Sequence, residues 1–124
     1  MSIVATGTDI IETVRIAKMI ETHGEQFLER VYTANEIEHC VQSADTPTQF
    51  AMRWAAKEAV MKALRCRQHG VRWVDIEIVI GAATYEVRLT GNARRCALEQ
   101  SIEQLHLSLS ACRTHAVAYV IAES

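Results

Sequence analysis

The stretch Phe50 to Leu64, FAMRWAAKEAVMKAL, is the strongest constraint on what this chain can fold into. It contains no Gly or Pro, and after Phe50 only Trp54 and Val60 interrupt a run of good helix formers, so it reads as one unbroken helix. At about 100° per residue, Glu58 and Lys62 share one side with Arg65 just beyond, and Arg53 and Lys57 form a second charged cluster about 100° away. Met52, Ala56, Ala59, Val60 and Ala63 lie opposite the acid, with Trp54 and Met61 between the two clusters. A helix that is apolar nearly all round belongs in a protein interior. Its few charges then need a cleft, a partner or a ligand, because burying them unpaired is too costly. A plainer reading stands beside this one. Glu58–Lys62 and Arg53–Lys57 are both i,i+4 pairs, and Glu ahead of Lys is the ordinary stabilising order on a solvated helix face.

Composition decides which partners such charges can serve. The chain of 124 residues is read as one domain, residues 1–124, large enough for a core but small enough for a partner to assist burial. With 49% hydrophobic residues, one Pro and five Gly, it is neither disordered nor of low complexity. A net charge of −2 offers no global field for nucleic acid and no polybasic membrane signal, so any anion must be caught locally. MSIVATGTD has neither the basic start nor the apolar core of a signal peptide, and the longest apolar run, Ala116 to Ala122, falls far short of the ~20 residues that span a bilayer. The expectation is a cytoplasmic protein with no membrane or nucleic-acid partner. The four cysteines, Cys40, Cys66, Cys96 and Cys112, show no C-x-x-C spacing, which suits free thiols better than disulfides or a zinc site.

In chain order, the short β-tolerant residues Ser2 to Thr8 run through Gly7 to Asp9, after which Ile10, Ile11, Val14, Ile16 and Ile20 follow an amphipathic helical pattern. Gly7 suits a close approach by another backbone or by a ligand. Asp9, with Glu12 three residues on, also fits a helix N-cap. Gly24 is a helix stop, Thr33-Ala34-Asn35-Glu36 a capping box, and Thr46-Pro47-Thr48-Gln49 the start of the central helix. Beyond Gly70, the alternation in Val71 to Ile80 and Thr84 to Thr90 predicts an antiparallel hairpin. Gly91 to Gln104 reads as a helix, Leu105 to Ser110 as a strand, and His115 to Ala122 as a near-continuous buried strand. The sum is α+β: a largely antiparallel sheet covered on one face by helices, one of them long and central.

Gly7-Thr8-Asp9-Ile10 at the end of the first strand and Arg53-Trp54-Ala55-Ala56-Lys57-Glu58-Ala59 with Lys62-Ala63 on the central helix, followed by Trp73 to Ile78, Ser108-Leu109-Ser110 and Thr114 to Tyr119, together resemble the 4'-phosphopantetheinyl transferase superfamily, in its small bacterial type. The resemblance covers nearly the whole chain and implies that superfamily's fold. It implies transfer of the phosphopantetheine arm of coenzyme A to a serine of an apo acyl carrier protein, with release of adenosine 3',5'-bisphosphate. By the same resemblance Asp9 and Glu58 match metal ligands for Mg²⁺, and Lys62 is a catalytic cation on the phosphates. Arg53, Lys57, Lys62 and Ser110 match the coenzyme A site, to which Arg65 is expected to add a base that the family pattern lacks, and Arg15, Lys18 and Met19 match the surface that meets the acidic carrier. A homotrimer with active sites between subunits is implied as well, which would bury the apolar excess of the central helix. These residue types suit the chemistry, because charge that develops on a diphosphate calls for a hard cation and fixed bases.

Three features depart from the family pattern. Arg65-Cys66-Arg67 stands where a Gly-Thr-Gly-like turn is usual, Ala111 stands where a histidine follows Ser-[Leu/Ile]-Ser, and Met61 replaces a small residue, which narrows the expected cleft. Arg65 or Arg67 then compensates for the missing histidine, an idea that an unchanged coenzyme A dissociation constant in Arg65→Ala and Arg67→Ala would remove. His115, at the start of a strand, is read as structural. Two other readings exist: a trimeric coenzyme A or nucleotide binding protein without turnover, and a structural domain with surface salt bridges. The first leaves both metal ligands and the lysine without a purpose, and the second leaves the charges on an apolar helix unexplained.

Overall fold

The computed structural model describes residues 1–66 and 69–124, so Arg67 lies outside the described residues. Strand β1 (Ile3–Glu12) leads into helices α1 (Thr13–His23), α2 (Glu25–Val31) and α3 (Ala34–Val41). The long helix α4 (Thr46–Leu64) follows, then a single 3-10 turn (Trp73–Asp75), the hairpin β2 (Ile76–Ile80) and β3 (Tyr85–Leu89), helix α5 (Gly91–Glu99), and strands β4 (Gln104–Ala111) and β5 (His115–Glu123). Pairing is antiparallel throughout. The strands form two sheets, one of three strands in the order β1-β5-β4 and the separate β2-β3 ribbon. Among the described residues no helix is long and apolar enough to cross a membrane.

The fold is built on the contact between α4 and the inner face of the three-stranded sheet. Ala55, Ala56, Ala59 and Ala63 are all fully buried, and side chains this small let helix and sheet backbones come close. Gly7 completes the approach. A Cβ there would collide with the carbonyl oxygen of Ala59 and lie 2.8 Å from the backbone nitrogen of Ala63. The first core cluster packs α4, β2, α5 and the inner residues Ala118, Val120 and Ala122 of β5 around this contact. The second gathers Ile16, Phe27, Val31, Tyr32, Cys40 and Phe50 under α1, α2 and α3.

Several local expectations change. Asp9 is not a helix cap, because β1 continues through it to Glu12 and α1 begins only at Thr13. The capping box of α3 forms as expected, with Thr33 and Glu36 bonding each other's backbone N–H groups, whereas α4 is capped by Asp45, which places Pro47 one residue deeper. Residues Trp73 to Asp75 turn once before β2 starts, and the helix that begins at Gly91 stops at Glu99. Finally, β5 is not buried on both faces: its burial alternates, and among the described residues no element covers the outer face of the three-stranded sheet.

Candidate active site

Asp9 lies two residues after Gly7 on the same face of β1, so the contact that brings the strand against α4 also aims Asp9 at that helix. Lys62 reaches across to it: Nζ donates to Asp9 Oδ1 at 3.0 Å and to the Thr8 carbonyl at 2.8 Å. Lys62 keeps 44% of its side chain exposed and Asp9 15%, so the pair sits at an opening rather than in the core. Glu58 is one turn earlier on the same side of α4, and its Oε2 accepts a hydrogen bond from Trp73 Nε1 at 3.1 Å. Asp9 and Lys62 thus join strand to helix directly, with the Glu58 carboxylate one turn away on the same side of α4.

Arg65 closes α4 in the left-handed conformation, φ 54° and ψ 44°. Glycine adopts this geometry most easily, so the chain keeps the turn that a glycine would favour although the residue has changed. The Arg65 guanidinium is exposed and donates from Nη2 to the Val4 carbonyl at 2.8 Å, at the same end of α4 as Lys62.

The other charged pair of α4 requires a correction. Lys57 is fully buried, and its ammonium is spent inside the chain: it pairs with Glu36 Oε1 at 2.7 Å and donates to the carbonyls of Trp73, at 3.0 Å, and Ile76. Burial pushes the ammonium below its usual range, opposed by the Glu36 carboxylate. Arg53 is 3% exposed and bonds through Nη1 to the carbonyl and Oε1 of Gln49. Neither residue offers a charge to a ligand arriving from solvent. The second cluster is therefore not solvated, because α3 and the start of β2 cover that side of the helix. The same packing pushes the Cys40 thiol up to about 11, chiefly through burial. Met61 is likewise in the core, 4% exposed, and does not narrow an open cleft.

Ser110 lies apart from this cluster. Register rows across the sheet join Asp9, Ala118 and Leu109 on the covered face, and Ile10, Val117 and Ser110 on the uncovered one. Ser110 and Asp9 therefore face opposite ways within one chain. His115 pairs with Glu12 on the uncovered face and Ala111 follows the covered one, so His115 does not occupy the place of the absent histidine. Its Nδ1 is instead 2.8 Å from Thr114 Oγ1.

Arg15, Lys18 and Met19 do come together. With Ile11, Ile16, Thr22 and Trp54 they line an open cavity of about 430 Å³ beside α1, with a basic rim over an apolar floor. Two residues outside the expected set contact the charged residues of α4. Glu36 looks in the sequence like half of a capping box, yet its carboxylate also accepts from the Ile78 N–H and holds Lys57. Trp73 reads as one aromatic in a strand run, and nothing in its spacing signals a bond to Glu58.

The model of the 4'-phosphopantetheinyl transferase superfamily matches residues 5–120. The chain belongs to that superfamily. This transferase is 54% identical over 122 residues, 98% of each chain, to a holo-[acyl-carrier-protein] synthase of Rhodopirellula baltica. Among solved structures it is similar to the Neisseria meningitidis holo-[acyl-carrier-protein] synthase, with a TM-score of 0.84, 28% identity and coverage of 99% of this chain and 100% of that one. The Helicobacter pylori synthase, solved in complex with coenzyme A, matches with a TM-score of 0.79 and 28% identity over 95% of this chain and 99% of that one. The transferase fold expected from the sequence is therefore the fold of this chain.

Proposed function

We propose that this transferase moves the 4'-phosphopantetheine arm of coenzyme A to a serine of an apo acyl carrier protein, releasing adenosine 3',5'-bisphosphate, with Asp9, Glu58 and Lys62 as its working groups. The observation that carries the reading is the partly exposed contact of Asp9, from the strand, with Lys62 on α4, with Glu58 one turn earlier on the same side of the helix. The serine oxygen replaces the adenosine 5'-phosphate on the pantetheine phosphorus, so negative charge grows on the departing bisphosphate. Lys62 is a compact cation at that opening and can release Asp9 to meet a phosphate oxygen. Arg65, at the same end of α4, is the second base in reach. Arg53 and Lys57 are left out of this set because they are buried.

The donor set fits Mg²⁺. Asp9 and Glu58 supply hard oxygen ligands of the kind this cation takes. When bound there, the cation supplies charge neutralisation for the diphosphate. Arg15, Lys18 and Met19 form the docking surface for the acidic carrier, its basic rim meeting charge and its Ile11 and Trp54 floor meeting apolar side chains. The reading includes a homotrimer. The uncovered sheet face carries Ile10, Val117 and Tyr119, and Ser110 lies on that face, so a site that uses Ser110 together with Asp9 requires a second copy. The cytoplasm is the proposed location, where coenzyme A and carrier protein meet.

Incubation of apo acyl carrier protein with this protein, coenzyme A and Mg²⁺ is expected to raise the intact mass of the carrier by about 340 Da, one phosphopantetheine arm, and Glu58→Ala is expected to abolish the gain. No gain with several carriers at high coenzyme A would defeat the transferase reading in favour of a binding protein.

A further inference from the structure

Trp73 is held from three directions. Its carbonyl accepts from the buried Lys57 ammonium, which is itself fixed by Glu36. Its ring stacks on Trp54 at 5.5 Å between centroids and 26° between planes, and Trp54 in turn stacks on Phe27 at 6.0 Å. The side-chain polar atom of Trp73, the indole N–H, donates to Glu58 Oε2 at 3.1 Å. Lys57 and Glu58 are consecutive residues of α4, one turned into the core and the other toward the opening, and Trp73 touches both. A glutamate side chain has three rotatable bonds, and fixing one carboxylate oxygen removes most of the freedom of the other.

We propose that Trp73 is a positioning residue for Glu58, its N–H holding the carboxylate in the orientation that receives a divalent cation, with the buried Glu36–Lys57 pair and the Trp54 stack holding Trp73. The inference rests on the reading of Glu58 as a metal ligand. It has a physical reason: a partner that hydrogen-bonds a ligating carboxylate fixes its direction, and losing such a partner usually weakens metal binding about 10–100-fold. An indole suits the task because it donates one hydrogen bond and accepts none, so it can hold the carboxylate without competing for the cation.

The test is Mn²⁺ titration followed by calorimetry, with coenzyme A present and carrier protein absent so that no turnover occurs. Trp73→Phe keeps an aromatic ring against Trp54 and removes the N–H. A second protein carrying β-(3-benzothienyl)alanine at position 73 keeps the bicyclic ring and exchanges only the N–H for sulfur, so a packing defect in the first variant does not decide the outcome. Both are expected to raise the Mn²⁺ dissociation constant about 10-fold. The benzothienyl protein is expected to keep the parent melting temperature, and Trp73→Phe should add little to the effect of Glu58→Gln in the double variant. If the benzothienyl protein binds Mn²⁺ like the parent while Glu58→Gln binds it weakly, Trp73 does not position Glu58 and the metal reading survives. If Glu58→Gln itself leaves Mn²⁺ binding unchanged, the metal reading fails and this inference fails with it.

Discussion

Lys57 and Lys62 stand five positions apart on one helix, about 140° apart in angle, and their surroundings give them opposite work. Lys62 looks out beside Asp9 with 44% of its side chain exposed, whereas Lys57 is sealed against Glu36. Breaking a buried pair leaves one charge uncompensated, which costs about 3–5 kcal/mol. Lys57→Met is thus expected to lower stability by about that amount in urea unfolding. Lys62→Met should unfold close to the parent and lose transferase activity. A Lys57→Met variant as stable as the parent would mean that the Glu36 pair carries little, and that another group satisfies the carboxylate. Periodicity on α4 shows which charges share a side, and the grouping of Glu58 with Lys62 and of Arg53 with Lys57 is visible in the sequence for that reason. Which side meets water depends on α3 and the start of β2, and helical spacing carries no information about a partner brought in from another element. Arg53 and Lys57 look solvated in the sequence because their i,i+4 spacing is the same whether a helix faces solvent or another helix.

At the scale of elements, the site depends on how closely α4 lies on β1. Gly7 is the position where that distance is set, and its role as a point of close approach is legible in the sequence because a glycine inside a strand pattern has few other purposes. Gly7→Ala must push the helix away, since the new Cβ meets backbone atoms of Ala59 and Ala63 that cannot turn aside. The expected loss is about 1–3 kcal/mol or more in urea unfolding. Activity should fall further than stability alone explains, because the same displacement draws Lys62 and Glu58 away from Asp9. Thr6→Ala, on the exposed face of the same strand, is the control and should be near neutral in both measurements. If Gly7→Ala matches Thr6→Ala, the helix–strand contact does not govern the site. Asp9 shows where the sequence misleads at this scale. An Asp three residues ahead of a Glu reads equally well as a helix cap or as a residue of a continuing strand, and only pairing with β5, at the far end of the chain, extends β1 past it.

The whole molecule is marked by a sheet with one face covered and one open. Four register rows cross the open face: Ile10, Val117 and Ser110; Thr8, Tyr119 and Ser108; Thr6, Ile121 and His106; Ile3, Glu123 and Gln104. Ile10 is 62% exposed, Tyr119 46% and Val117 37%, so apolar side chains lie side by side in water on the isolated chain. The alternation that would reveal this face is blurred in the sequence, because the run His115 to Ala122 is apolar at outward as well as inward positions, and a strand of that kind reads as buried on both sides. The proposed assembly would reconcile the two descriptions: a second copy over this face would bury the outward residues of β5, and Ser110 would then reach a site whose Asp9, Glu58 and Lys62 it does not face within its own chain. Tyr119, between the rows of Ile10 and Thr6, is the residue on which this turns. Tyr119→Arg would place a like charge from every copy at the shared surface, and burying an unpaired charge there is far costlier than leaving the chains apart. Sedimentation equilibrium is expected to give the mass of three chains for the parent and of one for Tyr119→Arg, with the far-ultraviolet circular dichroism unchanged. Transferase activity should disappear together with the trimer, although the arginine lies on the face opposite Asp9. A monomeric Tyr119→Arg with full activity would mean that one chain holds a complete site. Ser110 would then have no part in it, and the open face would serve some other contact.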